Sequence, residues 1–166
     1  MLTMEILLVD DHRILLEGTK SVIEASSQKF KVKDTAHSVD LALELLKQND
    51  YDVLITDYQM PGMTGMELIQ MAKAMCPDLK TIVLSMHDEL SVVKELLKMG
   101  LDGFVLKSDT HQEIIEALNR VSVGKIYLSQ GISQMLIHHS DKPNSSDLTP
   151  REQEIVKLIV KEYSTK

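Results

Sequence analysis

Four apolar segments of this chain each end on a residue able to handle a phosphoryl group. Glu5-Ile6-Leu7-Leu8-Val9 runs into Asp10-Asp11, and Asp52-Val53-Leu54-Ile55-Thr56 runs into Asp57. Thr81-Ile82-Val83-Leu84 runs into Ser85, and Gly103-Phe104-Val105-Leu106 runs into Lys107. Carboxylates gathered in one place repel one another. At about 4 Å each pair costs on the order of 4 kcal/mol at an effective dielectric of about 20. A divalent cation relieves that repulsion, and hard oxygens select Mg²⁺, or Mn²⁺, over softer metals. Asp57 is the natural nucleophile, because a carboxylate can attack phosphorus and form an aspartyl phosphate. Lys107 offers a point charge for the transferred group. Ser85 offers a hydroxyl, and the backbone N–H groups of Tyr58, Gln59 and Met86 offer further donors. Taken singly, each residue has an ordinary explanation: a helix-capping acid, a turn residue, a surface lysine. Four strand ends that all carry a suitable group point to one site.

The segments that must position these residues alternate regularly. Strands are expected near 5–9, 30–35, 52–56, 81–85 and 103–106, and helices near 13–26, 38–48, 64–75, 89–99 and 110–123. Ile114, Ile115, Leu118 and Val121 recur at helical spacing, as do Val93, Leu96 and Leu97. Near-continuous Val and Ile in the inner strands fits a parallel sheet covered on both faces. The predicted fold class is therefore α/β, a doubly wound (βα)5 unit with five parallel strands. Such sheets bind ligands beyond their carboxyl ends. Pro61-Gly62 and Met99-Gly100 fall where turns are needed, and Asp109 to Glu113 supplies a helix start.

Composition sets outer bounds. The chain has 166 residues and no run of eighteen apolar ones, so no membrane span or membrane partner is expected. No secretory leader pattern opens it, and the single Cys76 cannot form an internal disulfide, which fits a cytoplasmic location. A net charge of −7 argues against a nonspecific grip on nucleic acid across the whole surface. The methionines Met60, Met63, Met66, Met71 and Met75 read as packing residues. His12, His37, His87 and His111 show no ligand spacing, and His138-His139 is a pair in a polar tail. No Gly-rich phosphate loop follows the first strand, which argues against nucleotide binding.

Residues 4 to 124 resemble a bacterial response-regulator receiver domain. Asp10-Asp11 after the first strand and Asp57-Tyr58-Gln59-Met60-Pro61-Gly62-Met63-Thr64-Gly65 after the third carry the resemblance, completed by Ser85 and Lys107. It implies that Asp57 accepts phosphate from a sensor histidine kinase. It implies that Asp10, Asp11, Asp57 and the main-chain carbonyl of Gln59 surround Mg²⁺. By the same mapping Ser85 and Phe104 form the switch, and the ring turns inward when the hydroxyl is drawn to the phosphoryl group. Gln59 and His87 flank the site where receivers vary. Many receivers follow the lysine with proline, whereas Ser108 follows here, so a cis peptide is not expected at that bond.

After Leu128 the character changes. The reading divides the chain into a receiver at 1–128, a linker with a possible short helix at 129–147, and a further segment at 148–166. Ser140 to Asp147 is polar and aperiodic. Leu148-Thr149-Pro150-Arg151-Glu152-Gln153-Glu154-Ile155-Val156 then starts a helix, with Thr149 as N-cap and Pro150 at the first helical position. This stretch resembles the first helix of the LuxR-type helix-turn-helix domain of NarL/FixJ-class regulators. The resemblance implies a truncated DNA-binding domain, homodimerisation on phosphorylation, and promoter DNA as a partner only of a full-length form. The expected function is a phosphorylation-operated switch for transcription and not an enzyme, beyond self-catalysed phosphotransfer and slow loss of phosphate. Two other readings compete. A Mg²⁺-dependent phosphohydrolase would carry a second acid where Gln59 stands, and a stand-alone adapter would bind proteins without an output domain.

Overall fold

In a computed structural model, residues 2–86, 89–107 and 111–134 are described. They form five βα units followed by one short strand. The strands are β1 (Met4–Val9), β2 (Phe30–Ala36), β3 (Val53–Asp57), β4 (Lys80–Ser85), β5 (Gly103–Leu106) and β6 (Tyr127–Leu128). The helices between them are α1 (Arg13–Ser26), α2 (Val39–Gln48), α3 (Gly65–Met75), α4 (Leu90–Lys98) and α5 (His111–Ser122). All strands pair in parallel, in the order β2-β1-β3-β4-β5-β6. The chain winds outward from β1 to β2 and then crosses back to β3. That reversal opens a crevice at the carboxyl ends of β1 and β3, the usual ligand position in such sheets.

Alternation along each strand divides the core. Ile6, Leu8, Val53, Ile55, Ile82 and Leu84 pack against Leu16 and Ile23 of α1 and Ile114, Leu118 and Val121 of α5. On the other face Leu7, Val9 and Leu54 meet α2 and α3, while Val83 and Phe104 meet Val93, Leu96 and Leu97 of α4. Apolar residues therefore sit on both faces, which is why the inner strands read as continuous hydrophobic runs. Met60 and Met63 pack on one cluster and Met66 on another, as expected of gap-filling side chains, whereas Met71 and Met75 are exposed.

Local signals fix the ends of the elements. Thr64 caps α3 in a reciprocal capping box, accepting from Glu67 N while Thr64 N donates to the Glu67 carboxylate. At the end of α4, Leu101 N donates to Leu96 O and Gly100 N to Leu97 O, a Schellman closure. Gly100 takes the left-handed φ of 94° that this closure requires.

The sheet has six strands where five were expected. The extra strand, β6, has only two residues; Tyr127 N donates to Asp102 O and Ser129 N to Phe104 O. The chain continues as a short helical stretch at 130–134, in which Ile132 is buried against Phe104 and Leu128. The expected short helix at 130–139 is thus seen over its first five residues. Its remainder, the linker, the segment at 148–166 and His138-His139 lie outside the described residues, as do His87, Ser108 and the helix start at Asp109-Thr110. Among the described residues no peptide bond is cis and no helix is long and apolar enough to cross a membrane.

Candidate functional site

The strand-end residues converge. β1 delivers Asp10, whose N–H donates to Ala36 O of β2 in continuation of the ladder. β3 ends on Asp57 itself, β4 on Ser85, and Lys107 follows β5 directly. Asp10, Asp57 and Ser85 are almost wholly buried. The Lys107 ammonium lies 3.1 Å from Asp10 Oδ2 and 3.1 Å from Asp57 Oδ2. Lys107 N also donates to Ser85 O at 2.7 Å, which ties the lysine to the end of β4. One hydrogen-bonded strand end therefore joins the cation to the hydroxyl-bearing residue.

The electrostatics are unbalanced. Burial pushes the Asp57 carboxyl above its ordinary 3.8; hydrogen bonding and charge attraction from Lys107 oppose the shift, and the Asp10 charge adds to it. Burial pulls the Lys107 ammonium down, but its hydrogen bonds to Asp10 and Asp57 outweigh that, so its pKa ends above 10.5. The lysine thus stays charged while serving two acids. Asp11 is the third acid, and its Oδ1 is buried without a hydrogen-bond partner among the described residues. One atom from each of Asp10, Asp11, His12 and Asp57 can be chosen so that all lie within 4.8 Å of one another. An orphaned carboxylate oxygen beside two further carboxylates is a donor set that fits a hard divalent cation.

α3 is held close to this site by a missing side chain. Gly65 N donates to Tyr58 O at 2.7 Å. A Cβ on Gly65 would lie 2.5 Å from the Asp57 carbonyl oxygen and 2.9 Å from Tyr58 Cα, so any larger residue would displace the backbone of Asp57 and Tyr58.

Two expectations need correction. Tyr58 N–H is not available to a phosphoryl group, because it donates to Leu84 O at 2.9 Å and extends the β3–β4 ladder. Gln59 N points toward Asp57 Oδ1 at 3.4 Å, while Met86 follows β4 with its side chain largely exposed. His12 belongs to the acidic cluster although its spacing gave no metal signal. The turn after β1 folds its Nδ1 back to 3.1 Å from Asp11 Oδ1 and 3.3 Å from Asp10 Oδ1. Asp10 and Asp11 do not cap α1: its N-cap is His12, which makes no side-chain capping bond. Asp10 Oδ1 accepts instead from the His12 backbone N at 2.9 Å. Phe104, the expected switch aromatic, is fully buried among Val83, Val93, Leu96 and Leu97.

Known proteins resemble this chain in sequence and fold. The family described as the response regulator receiver domain matches residues 6–119. The transcriptional regulatory protein MctR of Rhizobium johnstonii is 32% identical over 97% of this chain and 75% of its own length. The nitrate/nitrite response regulator NarL of Escherichia coli K12 is 30% identical over 93% of this chain and 74% of its own length. Among solved structures, RcsB of Salmonella enterica serovar Typhimurium, bound to a promoter in the presence of the phosphomimetic BeF3⁻, is 28% identical. It superposes with a TM-score of 0.75 over 97% of this chain and 78% of its own. With a five-strand α/β core, acids at the ends of β1 and β3, a lysine after β5, and relatives of the NarL and LuxR kind, the chain belongs to the response-regulator receiver family of two-component signalling.

Proposed function

We propose that this chain is the phosphoacceptor switch of a transcriptional response regulator, with Asp57 as the acceptor. The observation that carries the reading is the Lys107 ammonium held 3.1 Å from both Asp10 and Asp57, beside a carboxylate oxygen that has no hydrogen-bond partner among the described residues. In the transfer, an Asp57 carboxylate oxygen attacks the phosphorus of a kinase phosphohistidine. The O–P bond forms, the N–P bond breaks, and its electron pair stays on the imidazole nitrogen, which takes up a proton. Lys107 then leaves its pairing with Asp57 for the new phosphoryl oxygens. Gln59 N–H and Met86 N–H donate to the same group. Asp10, Asp11, Asp57 and the Gln59 carbonyl would hold Mg²⁺, or Mn²⁺ in its place. A cation there supplies charge neutralisation that lets a carboxylate approach an anionic phosphorus.

The switch follows from the same strand ends. The added group carries a charge near about −2, and Ser85 offers it a hydroxyl across the β4–β5 pair that also contains Phe104. A group that binds one arrangement of Ser85 and Phe104 better than the other shifts their populations. The outputs we assign are homodimerisation and, through a C-terminal helix-turn-helix segment beginning at 148–166, promoter binding in a full-length form. RcsB, a relative bound to a promoter in its solved structure, supports that assignment. A sensor histidine kinase is the assigned donor, and the protein works in the cytoplasm. We assign a receiver at 1–128, a linker with a short helix at 129–147, of which Ile132 packs on Phe104 and Leu128, and an output segment at 148–166. Chemistry beyond phosphate acceptance is limited to slow loss of the group by hydrolysis.

The test is an intact-mass measurement after incubation with Mg²⁺ and a small phosphodonor such as acetyl phosphate. A single phosphoryl adduct, lost in Asp57→Asn, is the expected result. An adduct that survives in Asp57→Asn, or none in the native chain, would overturn the reading. Gel filtration of the two forms then tests dimerisation.

A further inference from the structure

His12 follows the acidic pair directly and is the N-cap of α1, but its ring does no capping. It is turned toward the carboxylates. Nδ1 stands 3.1 Å from Asp11 Oδ1 and 3.3 Å from Asp10 Oδ1. The approach to Asp11 lacks hydrogen-bond direction, since that oxygen remains without a partner despite its proximity. Two atoms so placed lie side by side, as donors around a common centre do. Donors bound cis to one octahedral ion through bonds of about 2.1 Å are about 3.0 Å apart. The His12–Asp11 separation sits close to that value, while the 3.3 Å His12–Asp10 contact also has hydrogen-bond geometry. The ring is 64% exposed, so a small rotation to complete the set meets little resistance.

We propose that His12 contributes a nitrogen ligand to the divalent-cation site and thereby sets its metal preference. The inference rests on the reading of Asp10, Asp11 and Asp57 as a cation site. Three carboxylates alone form an all-oxygen site, suited to Mg²⁺, which keeps its waters and gains little from imidazole. An imidazole in place of one water adds affinity for ions later in the first transition series, in the order Mn²⁺, Co²⁺, Ni²⁺. The site then accepts Mg²⁺ when that ion is abundant and is tuned toward Mn²⁺ and Ni²⁺ when they are available. Had His12 instead been only a hydrogen-bond partner that steadies the acids in the metal-free protein, its removal would change affinity for every divalent ion alike.

That difference defines the experiment. The metal-free chain, His12→Ala and His12→Gln are titrated calorimetrically with Mg²⁺, Mn²⁺ and Ni²⁺ as separate chlorides. Mn²⁺ and Ni²⁺ affinities are expected to fall about ten-fold or more in both variants, with Mg²⁺ affinity changing less than about two-fold. Pulsed electron paramagnetic resonance of bound Mn²⁺ gives a second readout, a nitrogen coupling present in the native chain and absent from His12→Ala. Equal losses for all three ions, or a nitrogen coupling that persists in His12→Ala, would overturn the assignment. Mg²⁺ binding with unchanged selectivity in the variants removes His12 alone. Absence of Mg²⁺ binding by the native chain removes the cation site itself and the His12 ligand with it.

Discussion

At the amino end of the sheet, Asp102 accepts from Thr81 N at 2.9 Å and from the Lys73 ammonium at 3.1 Å, and Asp52 accepts from Glu5 N at 2.8 Å. Lys33 completes that end with a 2.9 Å pair to Glu5. At the carboxyl end, the acids Asp10, Asp11 and Asp57 face one half-buried lysine, and one of their oxygens has no hydrogen bond among the described residues. Both ends pair acids with lysines brought together from separate elements. One end satisfies its charges within the fold and so locks strands and α3 together. The other leaves charge uncompensated, which costs stability and suits the cation and phosphoryl group of the proposed function. Function is lodged where the fold is electrostatically least comfortable.

The contrast can be broken most forcefully with metal. Mg²⁺ at about a hundred times its Kd should stabilise the native chain by about 2.7 kcal/mol, read as a rise in thermal midpoint. The same addition should do far less for Asp57→Asn. An unchanged midpoint for the native chain would mean that the carboxyl end is as satisfied as the amino end. Next in size, Asp102→Ala should destabilise by about 2 kcal/mol in urea unfolding, because Thr81 N–H and Lys73 lose their shared acceptor. It should leave Mg²⁺ binding intact.

Asp57→Asn should have the opposite sign, stabilising the metal-free protein by on the order of 1 kcal/mol at neutral pH. The sign follows from the raised carboxyl pKa: the folded chain binds that proton more readily than the unfolded one. Between 3.8 and the folded pKa, the Asp57 contribution to stability falls as pH rises, and above the folded pKa the penalty is constant. The advantage of the variant should therefore shrink as pH drops toward about 4, and a gap independent of pH would contradict burial as its cause. The smallest effect belongs to Lys33→Ala. Its pair with Glu5 is open to solvent on both sides, so loss should leave the midpoint of the same unfolding assay nearly unchanged.

Much of this was legible in the sequence because strong periodic signals and strand-end chemistry coincide. Each of the five expected strands and five expected helices appears with its ends shifted by at most one residue. Val83 and Phe104 share a face because they are register partners, and the run Ile82-Val83-Leu84 announced a strand buried on both sides. Two features were not legible. β6 is too short to show a period, and its pairing depends on where α5 returns the chain. His12 approaches Asp10 and Asp11 through the bend between β1 and α1, whereas metal-ligand spacing is recognised from sequence only along regular elements. Tyr58 misled for a related reason: whether its N–H is spare depends on β4 lying beside it.

β6 also bears on how copies of this chain avoid one another. An open strand edge is a row of unpaired donors and acceptors that a strand from another molecule can extend. In a five-stranded sheet that edge would be β5, the strand that leads to Lys107. Here Ser129 N donates to Phe104 O, Tyr127 N donates to Asp102 O just before the strand, and Leu106 N donates to Ser129 Oγ at 2.8 Å. The outermost strand is left only two residues long, too short to template an intermolecular ladder. The strand that leads to Lys107 is thus shielded from edge-to-edge aggregation by the segment that follows α5.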